Sequence, residues 1–327
     1  MKLHKLSFLP ISFPQIGKIL ILLSALSFSL VSVARESVDE TKNASASGFV
    51  KVSIVRGDLE VKGWDRDEIQ VTGKLDEQTK NFVFRVDGDE AFIEVKIPDR
   101  NRNWCVGYCN EGSDLNIMVP RDSTLRVSVV STEVKISDVA GGLDIGGVSG
   151  DIFAENASNR VRITSVSGSV ELRHAKGRIR LNSVSGDVEA TDVHGPGKYH
   201  SVSGDIILNE VSGDMDIETV SGEIEATSAV VTVLRGSTVS GDIRLEFEPT
   251  TDVDIEFNSI SGSISLDASD KIAAKFDLET GSGSIRNRIT ADEPRKSKYV
   301  RDETLRFSTG NGRVDLSTRS GDITIND

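Results

Sequence analysis

Between Val148 and Ile243 apolar and polar residues alternate, and the alternation is punctuated on a fixed beat. The string Val148-Ser149-Gly150-Asp151-Ile152 returns at 166–170, 184–188, 202–206, 211–215, 220–224 and 239–243, with weaker copies at 260–264, 281–285, 310–314 and 319–323. Its glycines fall at 150, 168, 186 and 204, eighteen apart, then at 213 and 222, nine apart. Gly141, Asn159, Gly177 and Gly195 each lie nine residues before the next repeat glycine. The underlying period is nine, with the clearest motif on alternate units. A short fixed period of this kind is the mark of a stacked repeat architecture.

Nine is odd, and side chains along a strand alternate faces, so each unit needs a corner to restore the phase. Counted from the repeat glycine, positions −2, +2 and +4 are apolar. They read Val148, Ile152, Ala154; Val166, Val170, Leu172; Val184, Val188, Ala190; and Val202, Ile206, Leu208. The intervening units agree, with Ala157, Val161, Ile163 and Ala175, Ile179, Leu181. These positions are expected in the core and −1, +1 and +3 on the surface, with glycine at the bend, where a missing Cβ lets the chain turn tightly. Two nine-residue arms then make one coil of about eighteen residues, and the fold class is all-β, a two-sided β-solenoid. A triangular helix of three hexapeptides also uses eighteen residues, but no period of six is visible. At about 4.8 Å per coil, Gly141 to Asp327 would form a rod on the order of 45 Å long.

Outside 148–243 the pattern loosens. Glycine spacing stretches to 19, 21 and 21 residues, then 29 between Gly283 and Gly312, a gap holding the polar run Glu293-Pro294-Arg295-Lys296-Ser297-Lys298, which reads as a loop. Ile323-Thr324-Ile325 is expected to end the array as a terminal strand or cap. Residues 46–138 are strand-like but irregular, as in Phe49–Ile54, Phe82–Val86, Phe92–Val95 and Leu115–Val119. A repeat array needs its first rung covered, so 46–138 is a candidate N-terminal β cap or small β-domain leading into the solenoid of 139–327.

Residues 1–34 form a separate segment. Lys2, Lys5 and Lys18 precede an apolar run from Ile19 to Val33 that closes on Ser32-Val33-Ala34, the layout of a secretory signal peptide, with an uncleaved anchor as the alternative. Its removal takes three lysines and no acid, moving the net charge from −13 to −16. So acidic a chain has no net field for nucleic acid. Export also gives Cys105 and Cys109, the only cysteines, an oxidising setting, in which a local disulfide pinning a loop is expected. The chain is therefore expected in the periplasm, outside the cell or on its surface, meeting a membrane only in transit or through an uncleaved leader. Aromatics are only 5% of residues, which suits a thin core of small and β-branched side chains.

Three features together carry a resemblance: the Gly63-to-Val71 run Gly-Trp-Asp-Arg-Asp-Glu-Ile-Gln-Val, the Leu-x-Ile-x-Val-Pro strand ending at Pro120, and the Val-Ser-Gly-Asp-Ile tandem. With a signal-led start, the chain resembles a bacterial β-strand-repeat family of adhesin-like proteins of unknown function. The resemblance covers nearly all of the chain after the leader, and the tandem is its most specific part. It implies a cell-envelope or surface role and supplies no catalytic residues.

Two columns of outward charge are candidate sites. Asp151, Ser169, Asp187, Asp205, Glu223 and Asp242 occupy position +1 on one edge, and carboxylates stacked near 5 Å repel by roughly 1 kcal/mol per pair in water. A structural Ca²⁺ held by Asp151, Asp187, Asp205, Glu223 and Asp242 would relieve that. The ordinary alternative is an Asp that hydrogen-bonds the turn backbone. On the other arm, Arg160, Arg162, Arg178, Arg180 and Lys198 should stack into one basic patch bounded by Asp144, Asp214 and Asp216. On an acidic protein such a patch suits an anionic partner, with a solvated, acid-paired face as the alternative. Arg56-Gly57-Asp58 fits the repeat's own turn grammar better than a recognition tripeptide. His174 and His194 are expected roughly 8 Å apart on neighbouring rungs, with no Ser–His–Asp set formed. The sequence thus points away from an enzyme, with a β-helix polysaccharide-active enzyme as the remaining enzymatic class. It points toward a binding module for an envelope glycan or protein, or toward a scaffold acting by self-association or with an envelope-stress partner.

Overall fold

The computed structural model describes residues 35–98, 112–298 and 301–327. Residues 1–34, expected to be a signal peptide, and Cys105 and Cys109, expected to form a disulfide, lie outside the described residues. Ala34–Asp327 forms one compact unit. Its secondary structure among the described residues is entirely β, twenty-five strands joined in one hydrogen-bonded system, and no helix is long and apolar enough to cross a membrane.

Through the repeat each strand pairs in parallel with the strand eighteen residues on. Val161 opposes Ile179 and Ile163 opposes Leu181 on one arm, while Val170 opposes Val188 and Leu172 opposes Ala190 on the other. The same parallel pairing begins earlier: strand Phe49–Trp64 runs beside Thr124–Ser137, and Leu125 then opposes Leu143. The two arms bury facing apolar columns, among them Val161, Ile179 and Leu181 against Val170, Val188 and Ile206. Antiparallel strands appear at the ends. Ser37–Asn43 and Asn81–Asp87 pair this way at one end, and Glu303–Ser308 at the other.

The two corners of a coil differ, and this corrects the assignment of position −2. Ala157, Ala175, Val193 and Val211 before the minor corners are buried, but Val148, Val166 and Val184 before the Ser-Gly-Asp corner are about 44% exposed and Val202 is half-buried. Strand Arg160–Ser167 alternates without interruption, so Val161, Ile163 and Ser165 face inward and Val166 must face out. On the other arm the phase is reset by residues with positive φ at intervals of eighteen, Asp138, Asn156, His174, Asp192 and Glu210. One extra residue at such a bend turns the next side chain, Ala175 or Val193, inward again. The core therefore accepts a column of hydroxyls where valines were expected: Ser165, Ser183, Ser201, Thr219, Thr238 and Ser259, each no more than 6% exposed.

The C-terminal end also departs from expectation. Ile323 pairs with Ile264 on one side and Ile285 on the other, and Val314 lies between Ile255 and Phe276. The last coil is thus threaded between the preceding rung and the strands Ala274–Thr280 and Ile285–Asn287, which lie outside it. Ile323-Thr324-Ile325 is no terminal cap; Ile323 and Ile325 are fully buried. The stretched spacing has a local cause as well, since strand Ile224–Ser240 shifts register against Ile243–Ser261 between Ala226 and Ala229 and between Val231 and Val233.

Candidate functional site

Strand register brings the basic residues together. Arg160 opposes Arg178, Arg162 opposes Arg180, and Arg180 opposes Lys198, all pointing outward from one arm. In the column of Arg160 and Arg178 the next positions are Pro196 and Asp214, whose side chains are shorter. In the inward column below, Ile179 is followed by Gly197 and Met215. Tyr199 folds its ring beneath Gly197, filling the space a Cβ would need, with Oη 2.6 Å from that position. The tyrosine is buried, which pushes its phenol up and keeps it neutral. Long arginines on two rungs beside a proline and a glycine leave a concavity of about 590 Å³, lined by all four arginines, Lys198 and, at the far end, Asp214, Asp216 and Arg235.

Ion pairing distinguishes the arginines from their neighbours. Arg126 bonds Asp144 at 2.9 Å, Arg235 bonds Asp254 at 2.6 Å, and Lys198 pairs with Asp216. The side chains of Arg160, Arg162, Arg178 and Arg180 have no ion-pair or hydrogen-bonding partner among the described residues; Asp144, opposite Arg162 in the strand register, is already bonded to Arg126. Lys198 thus lines the concavity with its charge already matched, whereas four guanidiniums on two adjacent rungs remain unmatched.

The acidic column makes different contacts. Asp151, Asp187, Asp205 and Asp242 each accept, through Oδ1, the backbone N–H at the same position of the next rung, at Ser169, Asp205, Glu223 and Ser263, over 2.7–2.9 Å. One carboxylate oxygen of each is committed to closing the corner. Among the described residues no group of three or more His, Cys, Asp or Glu side chains is arranged to hold a metal ion.

The histidines make contacts that sequence spacing did not indicate. Asp192 accepts from His174 Nδ1 at 2.8 Å and sits 3.0 Å from His194 Nε2, while His194 Nδ1 lies 2.7 Å from Ser212 Oγ. Eighteen-residue pairing stacks His174 under Asp192 and His194 under Ser212, and the bend at Asp192 swings His194 back beside it. A strand-geometry distance could not foresee that bend. The His174 hydrogen bond and the nearby imidazoles hold the Asp192 carboxyl below its ordinary range. The hydroxyl meets Nδ1 and the carboxylate meets Nε2, the reverse of the order that activates a serine nucleophile. The two imidazoles and the carboxylate are 38–56% exposed, and the chain of contacts ties three rungs at one corner.

Arg56-Gly57-Asp58 lies within strand Phe49–Trp64, with Gly57 at φ 116° forming its corner. Arg56 turns to the buried Asp76, donating from Nη2 to Oδ1 at 2.8 Å and from Nε to Oδ2.

The profile of the Toastrack DUF4097 family matches residues 49–271 and 237–326. No curated protein matches the chain. Among solved structures, a "putative adhesin" from Bacteroides fragilis NCTC 9343 is 14% identical, with TM-score 0.40, covering 90% of this chain and 98% of its own. A "putative adhesin" from Parabacteroides distasonis ATCC 8503 is 12% identical, with TM-score 0.39, covering 89% and 98%. A "putative lipid binding protein" from the same organism is 13% identical, with TM-score 0.35, covering 90% and 98%.

Proposed function

The chain belongs to the Toastrack DUF4097 family, and from that premise we propose that it is an exported, non-enzymatic binding module of the cell envelope or surface. Its concavity at Arg160, Arg162, Arg178 and Arg180 takes an anionic glycan bearing phosphate or carboxylate groups. The observation that carries this reading is the set of four unmatched guanidiniums on a chain of net charge −13. Guanidinium is the side chain best suited to phosphate and carboxylate, because its fork offers paired donors in a plane. Rungs about 4.8 Å apart present these forks in two short rows, which suits a ligand carrying more than one anionic group. The arms act as an eighteen-residue two-sided coil, and 46–138 serves as the N-terminal cap, supported by the antiparallel pairs at that end.

The test is binding of the exported chain to an array of neutral and anionic glycans, with Arg160, Arg162, Arg178 and Arg180 all changed to Ser in the comparison protein. Retention of anionic glycans by the wild type and their loss in the variant are expected. Equal retention by both proteins would remove the arginines from the function.

A further inference from the structure

A second feature of the same face has no counterpart in the anion site. At Val130, Val148, Val166, Val184, Val220, Val239 and Ile260, each followed by Ser and from Val148 on by Ser-Gly, the side chain is β-branched, apolar and 43–51% exposed, and Val202 in the same column is half-buried. The register of the adjoining serines, Ser149 on Ser167, Ser167 on Ser185 and Ser240 on Ser261, sets these side chains in one straight column. Eight rungs at about 4.8 Å make it about 34 Å long. The serines flank it on one side. On the other lie Thr164, Asn182, His200, Ser237 and Asn258, with Glu218 the one carboxylate in that run. The result is a continuous apolar ridge with an almost uncharged border on a chain whose surface is otherwise rich in acids.

We infer that this column is the seam of a homodimer, with a second copy of the chain as its occupant. The first argument is repeat matching. A ridge whose knobs recur every 4.8 Å is met at every rung only by a surface with the same spacing, and another copy has that spacing by construction. A two-fold axis sets the column against itself, as closed dimers require. The second is area. A half-exposed valine offers roughly 65 Å², so the column contributes about 500 Å² per copy before its Ser, Thr and Asn borders, and those borders bring the total toward the ~800 Å² per partner of a standard interface. The third is charge. The immediate borders of the seam are mostly hydroxyl and amide groups, the pattern of an interface core, and the carboxylates of the Asp151, Asp187, Asp205 and Asp242 column stand beyond the serines, each bound through one oxygen to a backbone N–H. The seam is independent of the anion site. Val166 stands four residues along the strand from Arg162, about 13 Å away.

The experiment is sedimentation equilibrium of the exported chain from low to high micromolar concentration. Three variants accompany it: V166T/V184T/V220T, V184D and R162S/R180S. Threonine preserves the β-branched shape and the outward position, so the first variant keeps the fold, which its thermal midpoint and far-UV spectrum verify. The wild type should show a concentration-dependent approach to twice the monomer mass. The triple threonine variant should dimerise at least about tenfold more weakly, V184D should remain monomeric, and R162S/R180S should dimerise like the wild type. A wild type that stays monomeric throughout overturns the inference, as does a triple variant with wild-type association. Loss of the dimer in R162S/R180S alone would move the seam to the basic face and overturn it too. A monomeric wild type that floats with neutral phosphatidylcholine vesicles, in a column-dependent way, would give the ridge to lipid.

Discussion

Replacing Arg180 by Glu separates a binding surface from an ordinary solvated face, because the two readings give opposite signs for stability. Arg180 stands between Arg162 on one neighbouring rung and Lys198 on the other. Two like charges about 4.8 Å apart in water repel by ~0.9 kcal/mol, and cross-strand charge pairs on sheets contribute roughly 0.2–1 kcal/mol in practice. Lys198 is already matched by Asp216, which weakens its share. Reversing the charge at the centre turns both repulsions into attractions and should stabilise the free protein by about 1–2 kcal/mol at low salt. For a chain of this size that is a rise of about 2–6 °C in thermal midpoint. The assay is thermal unfolding by circular dichroism at low ionic strength and near 0.5 M salt, where screening should shrink the difference. Arg126→Glu is the control: Arg126 faces Asp144 on the neighbouring rung, so this reversal should lower the midpoint. R180E should also lose anionic glycan binding. An R180E protein that is less stable, or equally stable at both salt concentrations, would refute the claim that these arginines are held apart from acids for a ligand.

The remaining predictions concern the core, the buried ion pair and the corners. Thr238 and Thr318 occupy the same inward column, but Thr238 Oγ1 has no partner among the described residues whereas Thr318 Oγ1 donates to Gly262 O at 2.9 Å. Thr238→Val should raise the urea midpoint, by relief of an unmet hydroxyl worth about 1–3 kcal/mol, and Thr318→Val should lower it by about 1 kcal/mol; shifts of the same sign would contradict the hydrogen-bond assignment. Burial pushes the Asp76 carboxyl up, but the Arg56 guanidinium and the Gln78 N–H more than offset this and hold it below its ordinary range. A carboxyl lowered by folding stabilises above its unfolded pKa and loses that contribution as pH falls through the ordinary range to the lowered folded value. Arg56→Leu should therefore cost about 3 kcal/mol at neutral pH, with the deficit shrinking in acid as Asp76 takes up a proton, as unfolding followed across pH would show. Thermal midpoints measured with Ca²⁺ and with chelator should coincide, since Asp151, Asp187, Asp205 and Asp242 close the corner through backbone N–H groups. A chelator-induced drop would give the column to an ion.

The solenoid was legible because an eighteen-residue interval repeats the same side chain at the same place. Val161, Ile179 and Leu181 could be assigned to the core by period alone, and the stacking of Arg160 on Arg178 follows from the same interval. Period does not reveal where within a coil the strand phase is reset. That depends on backbone bends at residues such as His174 and Asp192, whose positive φ leaves no compositional signature comparable to glycine. Hence the period alone places Val166 in the core, although the uninterrupted Val-Arg-Ile-Thr-Ser-Val strand already contains the parity that turns Ser165 inward and Val166 out. The same blind spot hid the His174–Asp192–His194–Ser212 contacts, which need the bend to bring two positions on one coil together. The C-terminal threading was illegible for a different reason. Insertion of the last coil beneath the one before it is a choice of topology, and sequence spacing carries no record of which rung lies outermost.

A parallel solenoid has one further consequence for how its sites arise. Each outward position is copied once per coil, so a single favoured residue type becomes a column, and its charges are met either by backbone N–H groups, as at Asp151, Asp187 and Asp205, or by opposite charges on neighbouring rungs. Column position 162 shows this: Arg126 meets Asp144 below, and Lys198 meets Asp216 above. Arg162 and Arg180 interrupt that alternation on the two rungs where the adjoining column also carries Arg160 and Arg178. Two neighbouring interruptions at the same height place four unmatched charges together, and the Pro196-Gly197 pair on the next rung lowers the surface beside them. Stability alone would fill either break with an acid. The coincidence of both breaks with a hollow is therefore what supports the proposal that this face takes an anionic ligand.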